Sequence, residues 1–116
     1  MDLRELINGL NSMILKGQIK EAFEKYYADD VVMQENEQPP TVGKDANRER
    51  ERQFLANITE FRGAEVKSVA VGDGVTMVEW FFDYTHKEWG KVTHHQVAVQ
   101  HWKNGKIVHE RFYYGS

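Results

Sequence analysis

The sequence predicts an α+β fold, with three N-terminal helices packed on one face of a mainly antiparallel β-meander. Three observations predict it. In the first half of the chain, apolar residues recur at three- and four-residue steps. Past Gly63 the pattern changes to long stretches rich in aromatic and β-branched residues. Those stretches are separated by hairpin signals, Gly72-Asp73-Gly74 and Asn104-Gly105.

Leu3, Leu6, Ile7, Leu10, Met13 and Ile14 form one apolar helical stripe, which Gly17 ends. Ile19, Ala22, Phe23, Tyr26 and Tyr27 repeat the spacing in a second helix, ended by Asp29-Asp30. Val31-Val32-Met33 reads as a short strand, and the segment from Glu35 to Gly43, which holds both prolines, as a loop. Asp45 stands where a helix cap is wanted, and a third helix follows to about Asn57. Its Arg48-Glu49-Arg50-Glu51-Arg52 run alternates in sign and reads as a solvated face. Strands are expected around Val66–Val71, from Val75 to Thr85, from Val92 to Trp102 and from Ile107 to Tyr114. No repeat, linker or low-complexity stretch divides the chain, so a single domain over residues 1–116 is expected.

Composition narrows the function classes. With 15 Lys+Arg against 18 Asp+Glu, net charge is −3, and the basic residues are interleaved with acidic ones. No basic face for nucleic acid is expected. The absence of cysteine removes disulfides, thiolate metal sites and a cysteine nucleophile. Met1-Asp2-Leu3-Arg4-Glu5 has neither the charge nor the apolar run of a signal peptide, and no stretch approaches a membrane span. The expectation is a cytoplasmic protein without membrane contact.

Side chains alternate along a strand, so turn lengths decide which faces meet. Two-residue turns at Trp89-Gly90 and Asn104-Gly105 place Trp80, Phe82, Tyr84, His95, Val97, Val99, His101, Val108, Glu110, Phe112 and Tyr114 on one face. This face is the more apolar and is expected to meet the helices. The opposite face, with Phe81, Gln96, Ala98, Gln100, Trp102 and Tyr113, mixes aromatics and polar groups as a wet surface or dimer contact does. On the inner face Glu110 needs a partner or a raised pKa. His101 lies diagonal to it, about 7–8 Å away between backbones. A buried Glu110–His101 pair is either an acid/base unit or a structural pair.

No P-loop, GxGxxG or HExxH occurs, and no serine has the nucleophile-elbow context. His94 and His95 diverge, and His95 and His101 are six residues apart on one strand, about 20 Å at ~3.3 Å per residue. No metal and no cofactor are expected.

Three segments carry a family resemblance: Ala22-Phe23-Glu24-Lys25-Tyr26-Tyr27-Ala28-Asp29-Asp30-Val31-Val32-Met33, Val42-Gly43-Lys44-Asp45-Ala46, and Asn104-Gly105-Lys106-Ile107-Val108-His109-Glu110-Arg111-Phe112-Tyr113-Tyr114. In these the chain resembles the SnoaL-like branch of the nuclear transport factor 2 (NTF2-like) superfamily. The resemblance implies a cone-shaped, curved sheet enclosing a pocket, commonly in a homodimer. That family includes polyketide cyclases, ketosteroid isomerases, dehydratases, epoxide hydrolases and non-catalytic binding domains. In its cyclases and isomerases a pocket carboxylate moves a proton beside a carbonyl while pocket donors hold the enolate. The isomerase base falls near Gln34, Glu35 and Asn36 here; Gln34 aligns best and cannot act as a base, and Glu35 takes the role if the loop shifts by one residue. The position of the oxyanion-holding Asp falls near Ala98 or Val99, and an Asp frequent after the terminal aromatic pair is Gly115.

Three functions follow as alternatives. The first is an enzyme with Glu110 or Glu35 as base, His101 as relay, and Tyr84, Tyr114 or His95 as donors. The second is a non-catalytic module that holds an apolar or aromatic metabolite between Trp80, Phe82, Tyr84, His95, Val97, Val99, Phe112 and Tyr114. The third is an interaction domain that uses the outer aromatics Phe81, Trp102 and Tyr113.

Overall fold

The computed structural model describes residues 2–115; Met1, part of the segment read above for a signal peptide, and Ser116 lie outside them. Helices α1 (Leu3–Leu15), α2 (Ile19–Tyr26) and α3 (Lys44–Ala56) precede the long strands. Strands β1 (Tyr27–Glu35) and β2 (Thr41–Val42) lie between α2 and α3. Strands β3 (Ile58–Val71), β4 (Val75–His86), β5 (Gly90–Lys103) and β6 (Lys106–Tyr114) follow. The strands form one sheet in the order β2-β1-β6-β5-β4-β3. Every pairing is antiparallel except β1 with β6, which is parallel. No helix among the described residues is long and apolar enough to cross a membrane.

Each helix forms for a local reason and buries one stripe. The Asp2 carboxylate accepts from the Glu5 amide at 2.8 Å and starts α1. Leu6, Ile7 and Leu10 of α1 and Ala22, Phe23 and Tyr26 of α2 join Val31, Val78, Trp80, Ala98, Trp102 and Ile107 in one core. The α2 helix ends three residues before Asp29, because Tyr27 is already extended and pairs with Ile107 of β6. Helix α3 starts at Lys44 with Gly43 as N-cap, not with Asp45. Its buried residue is polar: the Asn47 amide donates to the carbonyls of Gly43 (2.8 Å), Thr41 (3.0 Å) and Val31 (3.4 Å). One side chain thereby ties the helix to β1 and β2, and the Glu35–Gly43 loop contains the short strand β2. Register breaks in β3 at Ile58/Glu60, Phe61/Gly63 and Val66/Ser68 bend the sheet.

Two turn details decide the faces. Strands β4 and β5 meet through Lys87-Glu88-Trp89, since His86 pairs with Gly90. A three-residue loop holds here because the His86 Nδ1 accepts the amides of Glu88 (3.1 Å) and Trp89 (3.4 Å). Trp80 therefore opposes Gln96, and the β5 alternation is the reverse of the one expected. The Asn104-Gly105 turn is a two-residue turn, with φ of 53° and 76°. A bulge then follows, because Trp102 pairs with Ile107 but His101 with His109, which leaves Val108 over. The two parity changes cancel on β6. Glu110, Phe112 and Tyr114 keep the face expected for them, with Trp80, Phe82 and Tyr84. On β5, however, His94, Gln96, Ala98, Gln100 and Trp102 point inward, while His95, Val97, Val99 and His101 point outward.

This inversion has a direct test. Ala98→Asp puts a charge at a 1 % exposed site and is expected to abolish the cooperative urea transition, since an unpaired buried charge costs several kcal/mol. His95→Asp, at an exposed site on the outer face of the same strand, is expected to shift stability by less than about 1 kcal/mol. Circular dichroism during urea titration of both variants checks the assignment.

Candidate functional site

The inner face carries two polar groups at different depths. The deeper one is built around Glu110, which is 2 % exposed. Tyr27 at the α2–β1 junction donates its hydroxyl to Oε1 at 2.5 Å, and Gln100 of β5 donates Nε2 to Oε2 at 2.9 Å. The Gln100 Oε1 accepts the Thr76 hydroxyl at 2.7 Å, and Thr76 Oγ1 accepts the Trp102 Nε1–H at 2.8 Å. The chain of donors therefore runs from Trp102 through Thr76 and Gln100 to the carboxylate. Burial pushes the Glu110 pKa up to about 7, against the pull of the Tyr27 and Gln100 bonds. The Tyr27 hydroxyl is raised well above its usual range by burial and by Glu110. Glu51 of α3, which the sign-alternating run would place in solvent, is half-buried instead. Its pKa rises to about 7 through desolvation and the Glu110 charge.

The second group lies at the other end of the same strands. Tyr114 is four residues beyond Glu110 on β6, about 13 Å along the strand at ~3.3 Å per residue. Its hydroxyl donates to Glu35 Oε1 at 3.0 Å, and the Glu35 Oε2 meets Arg50 at 2.5 Å. Burial and the Glu35 charge raise the Tyr114 pKa to about 12 and also raise that of Tyr84. Aromatic rings continue from there. His94 stacks on Tyr114 at 5.5 Å, stands edge-on to Phe82 (6.1 Å) and Tyr84 (6.2 Å), and Phe82 stacks on Trp80 at 5.2 Å. Phe54 of α3 closes on Tyr84 edge-on at 5.7 Å.

The structure thus brings Glu35, Trp80, Phe82, Tyr84, Phe112 and Tyr114 to one face with Glu110, but splits Glu35 and Glu110 between mouth and base. Four expected site residues lie elsewhere. His101 is exposed on the outer face, 5.6 Å from His109, and is no partner of Glu110. His95 is exposed beside Phe81, and Val97 and Val99 share that outer face. The physical reason is the odd-numbered turn before β5. Trp102, expected outside, is buried with its indole N–H bonded. Missed in the sequence were Tyr27, Thr76, Gln100, Glu51, Arg50 and His94. A correct turn length would have found Gln100 and His94, whereas Tyr27 and Glu51 depend on how helices cross the sheet.

Two surface clefts are also present, and the first borders Trp102, the outer end of the Glu110 chain. One, about 440 Å³, runs between Leu3, Leu6, the Val71–Gly74 turn and the Trp102–Gly105 turn. The other, about 420 Å³, lies over the start of α3 with Asp29, Lys44 and Arg48. Neither brings a wall of aromatics together with a carboxylate held by donors, so the inner face remains the stronger candidate. No group of three or more His, Cys, Asp or Glu among the described residues could hold a metal ion.

A fold of this topology is the NTF2-like fold. The SnoaL-like domain matches residues 1–114, and the chain belongs to that family. A Mesorhizobium loti protein described as a SnoaL-like polyketide cyclase, with carbohydrate phosphatase in brackets, superimposes with a TM-score of 0.90 at 32 % identity, covering 98 % of this chain and 100 % of that one. An NTF2-like protein of unknown function from Burkholderia xenovorans gives 0.77 at 19 % identity, covering 97 % and 82 %. A ketosteroid-isomerase-like fold from Catenulispora acidiphila, in complex with trimethylamine, gives 0.77 at 12 % identity, covering 96 % and 85 %. No curated protein matches significantly.

The raised Glu110 pKa sets a sign. A carboxyl whose folded pKa lies above its unfolded value binds a proton more readily when folded, so stability falls as pH rises from about 4.5 to about 7. For Glu110 the loss across that window is of order 3 kcal/mol. The wild type is expected to resist urea better at pH 5 than at pH 8, and Glu110→Gln to remove the Glu110 share of that difference while the raised Glu51 pKa keeps a residual. Urea midpoints at both pH values measure it.

Proposed function

We propose that this SnoaL-like domain, acting as one unit over residues 1–116, binds a small planar apolar or aromatic metabolite at the mouth end of its inner sheet face. There, Glu35 moves a proton on that metabolite. One observation carries the reading: a partly accessible carboxylate, Glu35, is held by Arg50 and Tyr114 at the edge of an aromatic wall that includes Trp80, Phe82 and Tyr84. Glu35 takes the proton of a C–H beside a carbonyl, and the electron pair moves onto the carbonyl oxygen as an enolate. Tyr84 and Tyr114 are protonated phenols at neutral pH, with pKa values raised further by burial and the Glu35 charge, and they donate to that oxygen. Once Glu35 is protonated, the Tyr114 hydroxyl is released from it toward the substrate. The proton then returns to carbon, the same one or a conjugated one. Glu110, with both oxygens occupied, acts as the satisfied floor of the site. The polyketide-cyclase part of the Mesorhizobium loti relative's name supports chemistry of this kind, while its bracketed carbohydrate-phosphatase part names another.

An outer-face observation favours a second copy of the chain as partner. Met77, Val97 and Tyr113 are 44 %, 37 % and 43 % exposed, and pairing sets Met77 beside Val99 and Val97 beside Tyr113, with Arg111 and Glu79 completing the two rows. Exposed apolar side chains grouped in this way, with Glu79 and Arg111 among them, fit a homodimer contact.

The proton-transfer reading is tested with 2-tetralone, a planar aromatic ketone with acidic C–H bonds. In D2O the protein is expected to speed α-proton exchange, seen by 1H NMR. Glu35→Gln is expected to lower that rate by about 100-fold or more with 2-tetralone affinity nearly unchanged. Binding without faster exchange would leave the non-catalytic binding module as the function. For the dimer, Tyr113→Asp is expected to halve the mass seen by light scattering.

A further inference from the structure

The two polar groups of the inner face differ in one respect that the proposed reaction does not use. At the base every member of the chain has a partner: Trp102 Nε1, Thr76, Gln100, Glu110 and Tyr27 are all bonded. At the mouth, His94 Nε2 is buried and has no protein partner. An imidazole nitrogen is a donor or an acceptor in every protonation state. Leaving it dry among rings is unfavourable, so such an atom in a native fold calls for a physical explanation.

The neighbours cannot supply the bond. Tyr114 presents its ring face to His94 at an interplanar angle of 13°, and its hydroxyl is committed to Glu35. Phe82 and Tyr84 meet the imidazole at 69° and 82° between ring planes. His94 is thus positioned by three rings, with one polar atom left over inside an otherwise apolar wall. The other buried side-chain atoms without a partner among the described residues, Asn11 Oδ1 and His109 Nδ1, lie on α1 and on the outer face.

We propose that His94 Nε2 is the polar anchor of the binding site: it hydrogen-bonds a hydroxyl or carbonyl oxygen carried on the ligand's ring system. The ligand class is then an oxygenated planar ring compound rather than a hydrocarbon. The inference rests on the aromatic-site reading above and adds what the site selects for. It assigns His94 to ligand recognition, whereas the proton step belongs to Glu35.

The test compares 2-naphthol with naphthalene on the full chain. Wild type is expected to bind 2-naphthol about tenfold more tightly than His94→Phe does, while naphthalene binds both alike. In protein labelled with 15N-histidine, 2-naphthol is expected to move the His94 Nε2 resonance and naphthalene to leave it in place. The NMR arm uses wild type alone, so a folding defect in His94→Phe does not obscure the answer. If naphthalene binds but the hydroxyl adds nothing and the Nε2 signal stays put, a water or a local rearrangement satisfies His94 and the proposal is overturned. If neither compound binds at the wall, the aromatic-site reading fails and the anchor fails with it.

Discussion

The hydrogen-bond chain that ends on Glu110 ties the structure together where water does not reach. An isolated carboxylate would not stay ionised in such a place. Here two donors from different elements hold it, Tyr27 from the α2–β1 junction and Gln100 from β5. Behind Gln100 stand Thr76 of β4 and Trp102 of β5. Four strands are thereby joined by side chains as well as by ladder bonds, including the one parallel pairing, β1 with β6. Loss of any member strands another buried polar atom, so the group works as a unit.

The cover over this floor is polar for its own reasons. Helix α3 has little apolar content, and it is fastened by the Asn47 amide to three carbonyls rather than by a greasy stripe. Its outward charges pair on the surface, as Arg52 does with Glu49 and Arg48 with Asp45 and Glu24. Arg50 instead reaches Glu35 at the mouth, and Glu51 turns inward toward Glu110. One helical turn thus serves both ends of the cone: a cation beside the accessible carboxylate and a second, uncompensated carboxyl near the buried one. That division pairs Glu35 with Arg50 where it is partly accessible, while burial raises the pKa of both Glu51 and Glu110.

Much of the fold was legible in the residues. Helical spacing marked α1 and α2, the Asn104-Gly105 pair marked the last hairpin, and the aromatic strands marked the sheet. The inward aim of Glu110, Phe112 and Tyr114 was also anticipated, though through two parity errors that cancelled. The β5 strand exposed those errors. His94 and His95 are adjacent and chemically identical, and nothing in their identity says which one faces the wall.

The sequence by itself determined which segments form helices and strands, because periodicity and turn chemistry act within a few residues. It also determined that carboxylates and aromatics would share the β half. Tertiary structure alone decided the rest: that His86 holds the turn open to three residues, that Val108 bulges, and that Tyr27 reaches Glu110 across 83 positions of chain. Strand alternation has a period of two, so one extra residue in a turn exchanges the two faces of everything that follows it. Whether that residue is present is settled by contacts between segments far apart in the chain, which a local reading does not contain.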